Sequence, residues 1–144
     1  MMSLPYAQDV NYWKTGRSDS MAVLQKAADQ LAEVNGTIET QVFGMHNGQE
    51  AIIFGFKIDG TAYRINWPVL PSKRPDEDDH IDRHRQAAAF VFHDVKARCM
   101  TAKVLGARRA FVGYLVDRKT GQTVAELANP FETDQLRLGH ETAN

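Results

Sequence analysis

Between Lys57 and Arg109 the chain carries eleven cations that could meet phosphate: Lys57, Arg64, Lys73, Arg74, Arg83, Arg85, Lys96, Arg98, Lys103, Arg108 and Arg109. Lysine and arginine gathered in one stretch form an electrostatic surface for anions, and phosphate binding of that kind weakens steeply with salt. Cut at Gly55 and Gly121, residues 1–54 hold 3 basic and 6 acidic side chains, residues 55–120 hold 13 and 8, and residues 121–144 hold 1 and 4. The formal net charge of −1 thus conceals a basic middle between acidic ends. Such asymmetry fits an anionic partner, and it fits equally a surface that only keeps the protein in solution.

Other residue types define what other chemistry is open. His80 and His84 stand four apart at a helix start and could share a metal ion, but Asp79 or Asp82 would have to complete the set. Helix capping and favourable charge at the helix N-terminus explain Asp76 to Asp79 as well. His93-Asp94 has the look of an oriented base, yet no Ser or Cys sits in a nucleophile motif, so a non-catalytic protein is expected. The turns at Gly44, Gly48, Gly55 and Gly60 match neither a phosphate loop nor a dinucleotide fingerprint, and no cofactor is expected. Cys99 is the one cysteine, which excludes an internal disulfide and suggests a buried, inert thiol.

The element that must position most of these cations runs from Ile81 to Leu105 without Pro or Gly. Ile81, His84, Ala88, Val91, Phe92, Val95, Cys99, Ala102 and Leu105 recur at steps of three and four, which predicts one long helix with an apolar stripe. Arg85, Lys96 and Lys103 fall 11 and 7 residues apart, close to three and two turns, and share one flank. That flank could follow successive phosphates, or stay solvated and pair with Asp82 and Asp94.

A length of 144 residues with 43% hydrophobic content suits a single domain, with an irregular arm over 1–17, a core over 18–128 and a polar tail over 129–144. Tyr6, Tyr12 and Trp13 in the arm are expected to pack on the core or on another subunit, with packing favoured. Ser18-Asp19-Ser20 and Gly36 bound a first helix with Val23, Leu24, Ala27, Ala28, Leu31 and Val34 inside. Alternation then predicts strands over 37–45, 49–58 and 61–67. A two-residue Asp59-Gly60 turn pairs Ile58 with Thr61, Phe56 with Tyr63, Phe54 with Ile65 and Ile52 with Trp67. For the first hairpin, matching of buried faces selects a three-residue His46-Asn47-Gly48 loop, with Val42, Thr40 and Ile38 opposite Ile52, Phe54 and Phe56. Glu39, Gln41, Phe43, Ile53, Lys57, Arg64 and Asn66 would then face outward. Arg109 to Asp117 and Gln122 to Leu127 predict a C-terminal hairpin closing at Lys119-Thr120-Gly121. The whole reads as an α+β domain: helix, three-stranded antiparallel meander, long helix packed on the sheet, terminal hairpin. Among 144 residues no apolar run is long enough for a membrane span, and MMSLPYAQDV has neither basic leader nor signal core, so a cytoplasmic protein is expected.

Helix, three-strand meander and long helix is also the order of the double-stranded-RNA-binding domain and of the core of phage and eukaryotic single-strand annealing proteins. The run Ala88 to Arg98, with Asp94, Lys96 and Arg98, followed by Leu105-Gly106, resembles the long helix of the annealing family, although Ala97 parts two cations that the family usually sets side by side. The resemblance covers about residues 20 to 110. It implies sequence-independent binding of single-stranded DNA along a ring of subunits, a homo-oligomer at work in phage or mobile-element recombination. The alternative from another class is a structural or regulatory protein of similar origin that acts through protein contacts alone.

Overall fold

Asp19 begins the first helix, where its side chain accepts a hydrogen bond from the Ala22 N–H at 3.2 Å. In the computed structural model, which describes residues 3–128, this helix α1 spans Ser20–Ala32. Leu24, Ala27, Ala28 and Leu31 form its buried stripe, at the helical spacing expected. The left-handed stop is Asn35, with φ of 63°, and not Gly36. Gly36 has a different job, because a Cβ there would lie 2.9 Å from the Leu31 carbonyl oxygen.

Three antiparallel strands follow in the order of the chain: β1 Gly36–His46, β2 Gln49–Ile58 and β3 Thr61–Pro68. The β2–β3 turn has positive φ at both Asp59 and Gly60, the geometry that matches the twist of a two-residue hairpin. Ile58, Phe56, Phe54 and Ile52 therefore face Thr61, Tyr63, Ile65 and Trp67 as predicted. The first hairpin departs from prediction. Asn47 and Gly48 both have positive φ and form a two-residue turn, so His46 meets Gln49 and Phe43 meets Ile52. An extra residue at Glu39 then shifts the register, leaving Thr40 opposite Gly55 and Ile38 opposite Phe56. The bulge resolves the conflict between turn and core that the three-residue loop was meant to resolve. It also moves Gln41 and Phe43 to the inner face, where Phe43 stacks on His84 with centroids 4.0 Å apart.

Helix α2 spans His80–Leu105 and lays Ala88, Val91, Val95 and Cys99 against the sheet. Phe54, Phe56, Ile65, Val91 and Val95 are all buried, in one core with Leu24 and Leu31 of α1. The ends of the expected stripe stay outside, Ile81 being 60% and Leu105 51% exposed, because the sheet is shorter than the helix. Burial pushes the Cys99 thiol up to about 11, consistent with an inert packing role.

Gly106, with φ of 92°, ends α2, and the predicted terminal hairpin is not formed as two strands. Residues Ala107–Ala110 make a short helix α3, Val112–Tyr114 a 3₁₀ turn, and Val124–Leu127 a helix α4. What remains of the pairing is a single bridge, Val116 to Thr123, while Leu115 bridges instead to Tyr63 of β3. Local signals win over alternation here. Phe111 is driven into the core against Phe56 at 5.2 Å, and Thr123 with Glu126 forms a reciprocal capping box that starts α4.

The N-terminal arm packs on the core. Ala7 is buried, Tyr12 stacks on His93 at 4.8 Å and meets the edge of Phe90, and the buried Gln86 amide donates to the carbonyls of Ala7, Val10 and Asn11. Phe131, Leu136 and the rest of the expected polar tail lie outside the described residues. Among the described residues no helix is long and apolar enough to cross a membrane.

Candidate functional site

Five of the eleven predicted cations are tied to acids, four of them at the N-terminal end of α2 and its approach. Lys73 pairs with Asp9 at 2.5 Å, Arg74 with Glu77 at 3.5 Å, and Arg85 with Asp82 at 4.0 Å. Arg83 donates to Asp79 at 2.9 Å and lies 3.7 Å from Glu50. Burial alone would raise the Asp79 carboxyl, but hydrogen bonds from Ser72 and Arg83 outweigh it and hold the group below its ordinary value. Asp79 is thus held to Arg83 and makes no side-chain cap for the helix. The fifth, Arg98, bonds Asp94 at 3.0 Å and the Ala110 carbonyl at 2.9 Å while lying over the Tyr114 ring. Tyr114 donates to the same carboxylate at 2.7 Å, and its burial together with that acceptor raises the phenol well above its usual range. Arg83 and Arg98 hold the fold together, whereas the pairs of Lys73 and Arg74 are exposed and Arg85 reaches Asp82 only at the limit of an ion pair.

Arg64 is also structural. Its guanidinium donates to the Gly121 carbonyl at 2.5 Å and approaches Glu126 at 3.5 Å. Glu126 further receives Asn66 at 3.3 Å and lies 2.7 Å from the His46 ring nitrogen, which fixes α4 against the outer sheet face. Burial pushes the Glu126 carboxyl up, but the Thr123 N–H and His46 outweigh it and lower it overall. The outer face expected to meet solvent or a partner is therefore partly closed by the chain's own C-terminal segment.

The remaining cations differ. Lys57 sees Glu39 only at 3.9 Å with both side chains about half exposed, and Lys103 sees Glu33 at 3.3 Å in a similarly wet pair, worth little by itself. Lys96 lies over Phe92 at 5.9 Å. Arg108 reaches the Thr61 hydroxyl at 3.4 Å, and among the described residues Arg109, Arg118 and Lys119 make no ion pair.

Four of these charges converge. Beside the Asp59-Gly60 turn, a cleft of about 660 Å³ is lined by Lys57 from β2, Arg108 from α3, and Arg118 and Lys119 from the loop before α4. Leu115, Val116, Val124 and Leu127 give it an apolar floor. Asp117 is the single carboxylate among the described lining residues, and it accepts from the Thr120 N–H and hydroxyl at 3.1 and 2.8 Å. The cleft is a cationic hollow with its one acid already engaged. Lys57 and Arg108 were predicted site residues, whereas Arg118 and Lys119 were missed. Their signal was present as two adjacent cations in a glycine-containing turn.

The histidines singled out in the sequence are held by ring and carboxylate neighbours. His84 is held between Phe43 and Glu50, and His80 sits edge-on to it 3.8 Å from Asp78. Among the described residues no group of three or more His, Cys, Asp or Glu could hold a metal ion. His93 and Asp94 face different neighbours, Tyr12 and Arg98, and make no His–Asp pair. Comparison of the chain with protein-family models, curated proteins and solved structures finds no match.

Proposed function

We propose that the protein is a non-catalytic nucleic-acid-binding protein that holds a single strand, in the manner of a single-strand binding or annealing protein. The observation that supports the reading is the cationic cleft, in which Lys57, Arg108, Arg118 and Lys119 converge from three parts of the chain with Asp117 as the one carboxylate among its described lining residues. Arg118 and Lys119 make no ion pair among the described residues, and Lys57 meets Glu39 only in a long, half-exposed pair, so these cations are available to phosphates, whose contacts position a strand without reading its sequence. The decisive measurement is fluorescence anisotropy with labelled single strands at about 50 mM and 200 mM salt. Binding should fall by orders of magnitude between the two, and absence of binding at the lower salt removes the reading.

A second reading, action through protein contacts, is favoured by a different observation. Val104 is 82% and Met100 64% exposed at the free end of α2, beside exposed Leu105 and Val112. Apolar groups gathered this way suit a subunit contact, and β1 offers a sheet edge for self-pairing. Light scattering at high concentration decides for or against a homo-oligomer, a strict monomer rejecting it.

A further inference from the structure

A second hollow lies at the opposite end of the helical layer, between residues 12–18, the start of α1 and the first half of α2. It measures about 250 Å³ and combines the aromatic side chains Tyr12, Phe92 and His93, of which Tyr12 and His93 stack on each other, with the cations Lys14, Lys26 and Arg85 and one carboxylate, Asp82. We infer that this groove is a subsite for one nucleobase of a bound single strand, with Lys26 and Arg85 taking the flanking phosphates. The inference rests on the nucleic-acid reading above and gives it a base-stacking component that the cleft lacks.

Four observations carry it. Aromatic faces beside cations are what an unpaired base and its phosphate require, and stacking of this kind accepts any base because each presents a π-face. Arg85 is only loosely satisfied, since Asp82 stands at 4.0 Å and the guanidinium Nε is shielded from water with no acceptor. The side chain as a whole is 34% exposed, so its guanidinium can leave the long Asp82 contact for a phosphate oxygen. The lip of the groove is held in an unusual conformation, with φ of 69° at Tyr12 and 54° at Lys14, fastened from behind by the three carbonyl contacts of Gln86. Left-handed backbone at non-glycine residues persists only where surroundings enforce it, often at binding sites. Finally, the volume of about 250 Å³ falls just under the usual range of about 300–1,000 Å³ for ligand pockets, which suits a small group such as one ring.

One flank of α2 leads along the chain from the groove toward the residues that line the cleft. Arg85, Phe92, Lys96 and Lys103 follow one flank of α2, a path of about 27 Å at 1.5 Å per residue. Its far end lies a few residues before Arg108, which lines the cleft. A strand seated in the groove would pass Lys96 and Lys103 before it reached Lys57 and Arg108.

The test uses the full chain with three labelled probes of equal length: oligothymidine, an abasic strand carrying the same phosphates, and a duplex. Oligothymidine should bind about five- to a hundredfold more tightly than the abasic strand, the range expected for loss of base stacking. Phe92→Leu keeps the bulk but removes the ring, and should abolish that advantage while abasic binding stays unchanged. Equal binding of oligothymidine and abasic strand by the parent protein overturns the subsite and leaves phosphate binding intact. No binding of any probe overturns both readings, and a Phe92→Leu loss equal for all three marks Phe92 as merely structural and overturns the subsite. A strand containing 2-aminopurine checks the parent without any variant, because its emission should fall on stacking; unchanged emission at saturation overturns the inference.

Discussion

The two ends of α2 use the same residue types for different purposes. At the N-terminal end Arg83, Arg85, Lys73 and Arg74 each have an acid within reach, supplied by the loop, the arm or the helix's own turn. Past the C-terminal end Arg109, Arg118 and Lys119 have none among the described residues, and Arg108 has only neutral partners. Density of positive charge along a sequence therefore says little about availability. The most firmly held cations on α2 have an acid four residues away, as Asp79 is to Arg83 and Asp94 to Arg98.

The contrast can be broken from beneath. Phe56 touches Phe54, Tyr63 and Phe111, so it supports both ends at once. Phe56→Ala should cost about 3–5 kcal/mol in denaturant unfolding and leave neither end intact. Arg118→Glu with Lys119→Glu attacks the free end alone: the melting point should hold while strand affinity falls by about two to four orders of magnitude, two charge-assisted contacts being worth about 1.5–3 kcal/mol each. Equal loss from Lys73→Glu with Arg74→Glu would erase the distinction.

Asp79→Asn attacks the paired end, where it should lower stability by about 2 kcal/mol through the orphaned Arg83 and leave binding alone. Acid should do the same without a mutation. The Asp79 pKa is lowered in the folded protein, so its contribution is complete above the ordinary carboxylate range. It is lost as pH falls through the lowered value. A thermal melt series should thus be flat through neutral pH and decline at acid pH, less so in Asp79→Asn. The smallest effect is expected on the flank between the ends. Lys96→Glu with Lys103→Glu should weaken every strand alike by a few fold, because Lys103 already shares its charge with Glu33, and should reduce the salt dependence by about two contacts.

The sequence was easiest to read where two signals agreed. Asp59-Gly60 and the alternation on either side of it demand the same register, and the β2–β3 hairpin has it. At Asn47-Gly48 turn and alternation disagreed, and a bulge, which leaves no mark in alternation, resolved the disagreement. The C-terminal segment misled because Ala110, Val112, Tyr114 and Val116 alternate like a strand, while the decisive mark was Thr123 with Glu126 three residues on, a helix start. The site shows the same division. Lys57 and Arg108 could be named from composition, but their meeting with Arg118 and Lys119 depends on a chain reversal that no local pattern encodes. Arg64 was misjudged because its acceptors, Gly121 and Glu126, lie about sixty residues away.

The bulge at Glu39 also bears on how this gene could shorten. In a regular strand the loss of one codon turns every later side chain to the wrong face, as it would in β3. In β1 the spare residue can absorb the loss. If any one of residues 39 to 42 were deleted, the strand could straighten with Phe43 still opposite Ile52 and Ile38 still opposite Phe56. The middle of β1, ordinarily the least forgiving place for a deletion, is thus the one stretch of this sheet with a residue to lose.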